Sequence, residues 1–218
     1  LRSNVSLFML ACDFSGDAIA LMKDRDEYEA QLRSSSRRVY AFVCDLAAES
    51  DDNWKWMESF ASRIGGLDFV TMVYVLSAID QGHMRRTVRR LAKLLKVGGL
   101  LFFRDYAAGD MAQSRFDSRG QKNLTEQGAY TRGEGTLAHY FTKEEVASIF
   151  QDDGLLEAKE ITTVELEIKN RKLDITMHRI WMQAKFVRRE ENDDAGERTL
   201  PSSSSSSKKR FSCFFCLQ

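Results

Sequence analysis

The chain has 218 residues, 43% of them hydrophobic, which fits one α/β-sized domain with a real core. Lysine and arginine together number 32, as do aspartate and glutamate, so no net charge draws the whole chain toward nucleic acid, although a local basic patch remains open to it. Four cysteines make no disulfide framework, no apolar run approaches the roughly 18 residues of a membrane span, and the polar start lacks a signal-peptide layout. The expected setting is the cytoplasm, with the nucleus as the alternative.

Val5 to Cys12 reads as a buried parallel strand that delivers Asp13 to the sheet edge. In doubly wound α/β folds ligands sit outside the carboxyl ends of the strands, where an acid can accept hydrogen bonds from the two hydroxyls of a nucleoside ribose. Asp13 is therefore the first candidate site residue. Its alternative role is a helix cap, for which Ser15 is better placed. A helix is expected from Gly16 to about Gln31, and Arg38 to Cys44 repeats the pattern of a strand followed by a carboxylate, Asp45. Trp54, Met57, Phe60, Ala61 and Ile64 recur at three- and four-residue spacing, which predicts a helix facing the core. Gly65-Gly66 ends it, and Leu67 to Ser77 is apolar enough to be a strand buried on both faces.

Met84, Val88, Leu91, Ala92 and Leu95 predict the next helix, whose other face carries Arg85, Arg86, Arg89, Arg90, Lys93 and Lys96. Such a charge run is either a solvated face or a set of RNA phosphate contacts. Gly98-Gly99 is expected to cap the helix, and Leu100 to Tyr106 is a buried strand that breaks into charge at Arg104-Asp105. Ala107 to Leu137 shows no sustained periodicity, as in a long functional or disordered loop. Thr142 to Glu145 is a capping box opening a helix that Gly154 ends. Leu156 to Ile168 and Leu173 to Val187 then predict an antiparallel hairpin, with a slip of alternation near Arg179 that suggests a bulge.

Beyond Val187 the chain turns charged, then serine-rich, then basic. Residues 1–187 are expected to fold, and 188–218 to form a disordered tail. The tail's Cys213-x-x-Cys216 has no second pair, so no metal site is expected, and basic residues beside cysteine and phenylalanine leave acylation at a membrane surface as a minor alternative. The fold class is α/β, a mostly parallel sheet with a C-terminal antiparallel hairpin.

Five short motifs occur in order: Ala11-Cys12-Asp13-Phe14-Ser15, Cys44-Asp45-Leu46, Val75-Leu76-Ser77-Ala78, Phe103-Arg104-Asp105-Tyr106 and Tyr130-x-Arg132-x-x-Gly135-Thr136. Together they resemble the tRNA 3-methylcytidine methyltransferases of the methyltransferase-like group, which are class I enzymes with a Rossmann-like sheet. The resemblance implies S-adenosylmethionine as cofactor, tRNA as substrate, and a tRNA synthetase or similar accessory partner. It would place Asp13 on the ribose, Asp45 on the adenine amino group, Leu46 beside the adenine, and Val73, Val75 and Leu76 along the cofactor's inner edge. Arg104, Asp105 and Tyr106 would meet the target base, with Tyr130 and Arg132 closing over it, while simple pairing of Arg104 with Asp105 is the alternative. The cytidine N3 lone pair is free once unpaired, so the reaction calls for positioning rather than a general base.

The family's first strand and glycine-rich loop, whose strand should lie between those ending at Asp13 and Ser77, are missing from this sequence. The expectation is either a fragment of a complete enzyme or a non-catalytic binding module, with methylation of a small molecule or protein on the same fold as a third reading.

Overall fold

Four of the apolar runs become strands: β1 (Leu7–Asp13), β2 (Arg37–Val43), β3 (Leu67–Val73) and β4 (Leu95–Tyr106). The computed structural model describes residues 7–34, 37–49, 52–118, 129–132, 135–170, 174–191 and 210–216. β1 lies parallel to β2, and β3 lies parallel to β4. The helices that follow them are α1 (Gly16–Lys23), α2 (Asp26–Arg33), α3 (Asp52–Ile64) and α4 (Gln81–Leu94). After β4 come α5 (Met111–Ser118), a short hairpin of β5 (Ala129–Thr131) and β6 (Leu137–His139), and α6 (Lys143–Gln151). The long strands β7 (Leu156–Asn170) and β8 (Ile175–Arg188) then pair antiparallel, and β8 also runs antiparallel to β4.

The core lies between the sheet and the faces of α3, α4 and α6. Trp54 and Met57 of α3, Met84 and Leu91 of α4, and Val146 and Phe150 of α6 pack with Leu10, Val70, Met72, Leu101, Phe103 and Phe186 from the strands. A smaller cluster on the other face joins Ile19 of α1 and Tyr28 of α2 to Ala11 and Ala41. The Tyr28 hydroxyl accepts the Ala41 N–H at 3.0 Å, and this is why the expected single helix is broken near Arg25: the second piece must turn back over β2. The capping box forms as expected, with Thr142 Oγ1 accepting from Glu145 N and Glu145 Oε2 accepting from Thr142 N.

Several expectations are corrected. β3 stops at Val73, because Tyr74 takes a positive φ of 57° and Leu76–Ala78 then forms a 3₁₀ turn. Gly98-Gly99 sits within β4 rather than capping α4. A Cβ on Gly99 would come within 2.8 Å of Lys96 O and 3.1 Å of Leu67 O, so the backbones approach too closely for a side chain. The cap is supplied instead by Arg188, which donates to the carbonyls of Ala92, Lys93 and Leu95 at the end of α4. The stretch 107–137 holds α5 and the β5–β6 hairpin, while 119–128 lies outside the described residues.

No bulge occurs at Arg179, which pairs in register with Leu166; the register shift falls between Ala158 and Glu160. The alternation slips because Ile180, Met182, Ala184 and Phe186 face the helix-covered core, while Met177 and Trp181 lie on the opposite face of the hairpin.

The largest correction concerns the tail. Arg210–Cys216 forms β9, which inserts between β1 and β3 and runs parallel to both, giving the order β2-β1-β9-β3-β4-β8-β7. Leu7 to Cys12 pair with Arg210 to Phe215 on one side, and Phe69 to Val73 pair with Ser212 to Cys216 on the other. β9 therefore takes the place where the family resemblance leaves a missing strand. The physical reason is that β1 and β3 present facing rows of backbone donors and acceptors two strand spacings apart, about 10 Å, which only another strand satisfies. Phe211-Ser212-Cys213-Phe214-Phe215 has the aromatic content such a strand favours. The rest of the expected tail, 192–209 and 217–218, lies outside the described residues.

Removing residues 210–218 should expose both edges. Each buried backbone group left unpaired costs about 1–3 kcal/mol, so the shortened chain should melt at least about 10 °C below the full chain by calorimetry. An unchanged melting temperature would show that β9 contributes no pairing.

Candidate active site

The carboxyl edge of the sheet gathers the ends of β1, β2, β3 and β4. Asp13, the last residue of β1, accepts the Ser15 N–H on Oδ1 at 2.7 Å, while Ser15 Oγ accepts from Ala18 N at 3.2 Å. Ser15 is thus the cap of α1, and Asp13 is held at its mouth rather than used as the cap. Partial burial pushes the Asp13 carboxyl pKa up, opposed by the Ser15 N–H. Beyond β2, Asp45 Oδ1 accepts the Ala47 N–H at 2.8 Å, and Leu46 beside it is 7% exposed.

These residues line one wall of a cavity of about 290 Å³, closed on the other side by Tyr74, Val75, Ile79 and His83. Two carboxylates at adjacent strand ends, flanked by apolar side chains, suit a ribose and a purine: hydroxyls and an amino group to donate, and a flat apolar body to bury. The cavity thus fits the nucleoside part of S-adenosylmethionine. Of the three residues expected along the inner edge, Val75 lines the cavity, Leu76 is fully buried in the core beneath it, and Val73 borders a groove on the opposite face of the sheet.

Next to the cavity lies a run of aromatic rings. Tyr74 and Tyr106 have centroids 5.1 Å apart, Tyr106 and Tyr140 5.6 Å, Tyr140 and Tyr130 5.7 Å, and Tyr130 and Phe116 5.0 Å. The Arg132 guanidinium lies 5.2 Å above the Tyr106 ring. Burial pushes the phenol pKa values of Tyr106 and Tyr140 up, so both rings stay neutral across the physiological range.

The expected trio at the end of β4 is separated by the alternation of the strand. Tyr106 faces the aromatic run, in contact with Tyr74 and Tyr140. Asp105 points to the covered face and is 0% exposed, accepting from Ser77 N at 3.0 Å and from Tyr106 N at 2.9 Å. A carboxylate so enclosed does not reach a base at the mouth; it fixes the turn that follows β3. Arg104 does not pair with it, for its guanidinium lies 4.9 Å over Trp181 on the other face. Tyr130 is 2% exposed and donates to Asp117 Oδ1 at 2.8 Å, so it supports Tyr140 from beneath rather than closing over the entrance.

Sequence reasoning named neither His83 nor Asp110, and covered Tyr74 only within the span Val73 to Leu76 without singling it out. Tyr74 and His83 border the cavity, and the only signal for Tyr74 was an aromatic residue closing an apolar strand. Asp110, 0% exposed, accepts from Arg179 Nε at 2.8 Å, Ile180 N at 2.8 Å and Ala112 N at 2.7 Å, so it pins α5 to the hairpin. Nothing in the sequence announces a pair so distant along the chain. The arginines of α4 resolve toward the solvated-face reading: Arg85 pairs with Asp152, Arg86 with Glu49, Arg89 with Asp153, Arg90 with Glu58 and Lys93 with Glu191. Among the described residues no group of side chains could hold a metal ion, and no helix is long and apolar enough to cross a membrane.

A family model described as a methyltransferase domain matches residues 16–156. The chain is 36% identical over 187 residues to tRNA N(3)-cytidine methyltransferase METTL2B of Homo sapiens, covering 86% of this chain and 45% of that protein. It is 33% identical over 184 residues to tRNA N(3)-methylcytidine methyltransferase Mettl2 of Drosophila melanogaster, covering 84% and 51%, and 34% identical over 197 residues to O-methyltransferase 3 of Dictyostelium discoideum, covering 89% and 41%. The chain therefore spans about half the length of the curated relatives it matches. A solved SAM-dependent methyltransferase of Methanosarcina mazei superposes with a TM-score of 0.57 at 15% identity, over 86% of this chain and 94% of that one, and shows the same fold.

Burial pushes the Asp105 pKa from 3.8 up to about 6, against the pull of the Ser77 and Tyr106 N–H groups, the nearby Ser77 hydroxyl, which makes no well-aligned hydrogen bond, and Arg132. Between those two values the folded chain keeps a proton that the unfolded chain has lost, so stability falls as pH rises through that window, by about 3 kcal/mol in all. Asp105→Asn carries no such proton. The difference in melting temperature between the variant and the unaltered chain should therefore shift in the variant's favour from pH 4 to pH 7; a difference independent of pH would contradict the buried carboxylate.

Proposed function

We propose, on the premise that this chain belongs to the methyltransferase-domain family, that it is the cofactor-binding and base-facing part of an S-adenosylmethionine-dependent enzyme that forms 3-methylcytidine in tRNA. The single observation that carries this reading is the adjacency of a two-carboxylate cavity to a cluster of neutral aromatic rings and one arginine, in a chain whose relatives bear that activity in their names.

In this reading Asp13 accepts from the ribose hydroxyls and Asp45 from the adenine amino group, with the ring against Leu46. Bound there, the cofactor supplies a methyl group on a positively charged sulfur: the cytidine N3 lone pair forms the new bond to carbon, the carbon–sulfur electron pair stays on sulfur, and the positive charge passes to the base. No side chain has to remove a proton for that step. The protein's contribution is to hold the two reactants in line, to exclude water, and to place charge.

Tyr106, half-buried and backed by the buried Tyr140, offers a flat face against which an unstacked base can lie, and the Arg132 guanidinium above it can meet a base edge or the adjoining phosphate. An anticodon loop already presents unstacked bases, so extrusion costs at most a few kcal/mol. Asp105 acts as a positioning residue, setting the backbone between the two pockets through Ser77 N–H. In this reading the expected domain of residues 1–187 closes one residue later, with Arg188 at the end of β8, and Arg210–Cys216 is an added strand; a tRNA synthetase or another accessory protein is the partner, and cytoplasm or nucleus is the setting.

Asp13→Ala should weaken S-adenosylmethionine binding about tenfold to a hundredfold, the range for a charge-assisted hydrogen bond lost at a partly buried group, with little change in melting temperature. In cells lacking the gene, mass spectrometry of tRNA nucleosides should show reduced 3-methylcytidine. Unchanged 3-methylcytidine, together with no transfer to tRNA by the complete protein, would refute the substrate.

A further inference from the structure

Tyr74 is held in a backbone conformation that tyrosine avoids. Its φ of 57° lies in the left-handed region, which a residue with a Cβ avoids and glycine adopts freely. The conformation is locked on both sides: Tyr74 N–H donates to Arg104 O at 2.8 Å, and three residues later Ser77 N–H donates to Asp105 at 3.0 Å. The chain passes from extended at Val73 to left-handed at Tyr74 and right-handed at Val75 before entering the 3₁₀ turn. A glycine would make this reversal without strain.

Core packing does not account for the ring. Tyr74 is only half-buried, and it belongs to none of the clusters that fill the two faces of the sheet. Tyr74 instead lines the cavity together with Asp13 and Val75, while its ring lies 5.1 Å from Tyr106 at an angle of 31°. Tyr106 in turn contacts Tyr140 and Arg132. Tyr74 is thus the aromatic side chain shared by the cavity and the ring cluster, at the place where the strand ends converge.

We infer that Tyr74 is a catalytic contact for the transferring group: its ring face holds the cationic sulfur of S-adenosylmethionine at the partition between the two pockets. This deepens the function proposed above and rests on it. An aromatic face attracts a desolvated cation through its quadrupole more strongly than it attracts a neutral thioether. The ring therefore favours the charged methyl donor over S-adenosylhomocysteine, the neutral product, and lets the product go. The backbone strain is tolerated because only a residue at this turn can set a ring between donor and acceptor.

The test compares the two ligands by titration calorimetry on the full chain and on Tyr74→Gly, Tyr74→Leu and Tyr74→Phe, with melting temperatures read in the absence of ligand. Tyr74→Gly and Tyr74→Leu should lose affinity for S-adenosylmethionine about threefold to thirtyfold more than for S-adenosylhomocysteine. Tyr74→Phe should keep the unaltered ratio, since the ring and not the hydroxyl is invoked. Tyr74→Gly should melt at or above the unaltered chain, because strain is relieved. Equal losses for the two ligands, or a Tyr74→Gly variant that melts lower while its ligand ratio is unchanged, would make the ring a structural element and overturn the inference alone. Failure of the unaltered chain to bind either ligand would overturn the cofactor reading and this inference with it.

Discussion

The carboxylate of Asp105, sealed from water at the end of β4, accepts from Ser77 N–H on one side and from its neighbour Tyr106 N–H on the other, and the carboxyl edge of the sheet is shaped around that clamp. Because Ser77 is tied down, the chain leaving β3 must reverse within three residues, and Tyr74 absorbs the reversal. That reversal aims Val75 and Tyr74 into the cavity and buries Leu76 beneath it. The cost of keeping such a carboxylate buried shows in its raised pKa. Asp110 plays the matching part beside the aromatic cluster, tying the start of α5 to Arg179 and Ile180 of the hairpin. Two buried acids, Asp105 and Asp110, fix the backbone around the cavity, and two others, Asp13 and Asp45, line it.

The charge distribution bears on how an RNA would meet this surface. The chain is neutral overall, and the cations of α4 are matched one by one by acidic partners, so that helix offers no unshared positive stripe. Apart from Arg90 of α4, whose guanidinium lies 4.0 Å over Trp54 in the core-facing seam with α3, the arginines that stack on aromatic rings are elsewhere, Arg132 over Tyr106 and Arg104 and Arg179 over Trp181. Binding through stacking and a few cations suits a single-stranded loop better than a duplex, whose phosphates call for a broad basic face.

The sequence declared its parallel strands, their terminal acids, the capping box and the hairpin, because each rests on local chemistry: an apolar run, a carboxylate at its end, or a Thr-to-Glu spacing. What it concealed depended on contacts far apart in the chain. Nothing local to Phe211 to Cys216 says that these residues pair with β1 and β3, since the demand for a strand there comes from the vacant edges and not from the tail. The inward turn of Asp105 follows from strand alternation once Phe103 is known to be buried, yet the charged neighbour Arg104 disguised it. Tyr130, expected on a long loop to close over the base, is packed between Phe116 and Tyr140. In the nucleoside cavity, Asp13, Asp45, Leu46 and Val75 were legible as strand-end residues, whereas Tyr74 required the backbone reversal to be seen.

Co-crystals of the chain with S-adenosylhomocysteine reach the central claim most directly, that the edge between β1 and β3 is a nucleoside site even with a C-terminal strand between them. The ribose hydroxyls should lie within about 3 Å of the Asp13 carboxylate, with the adenine against Leu46, its amino group toward Asp45, and the sulfur beside Tyr74. A ligand bound with its ribose away from Asp13, or its adenine outside the cavity between Asp45 and Ile79, would contradict the claim.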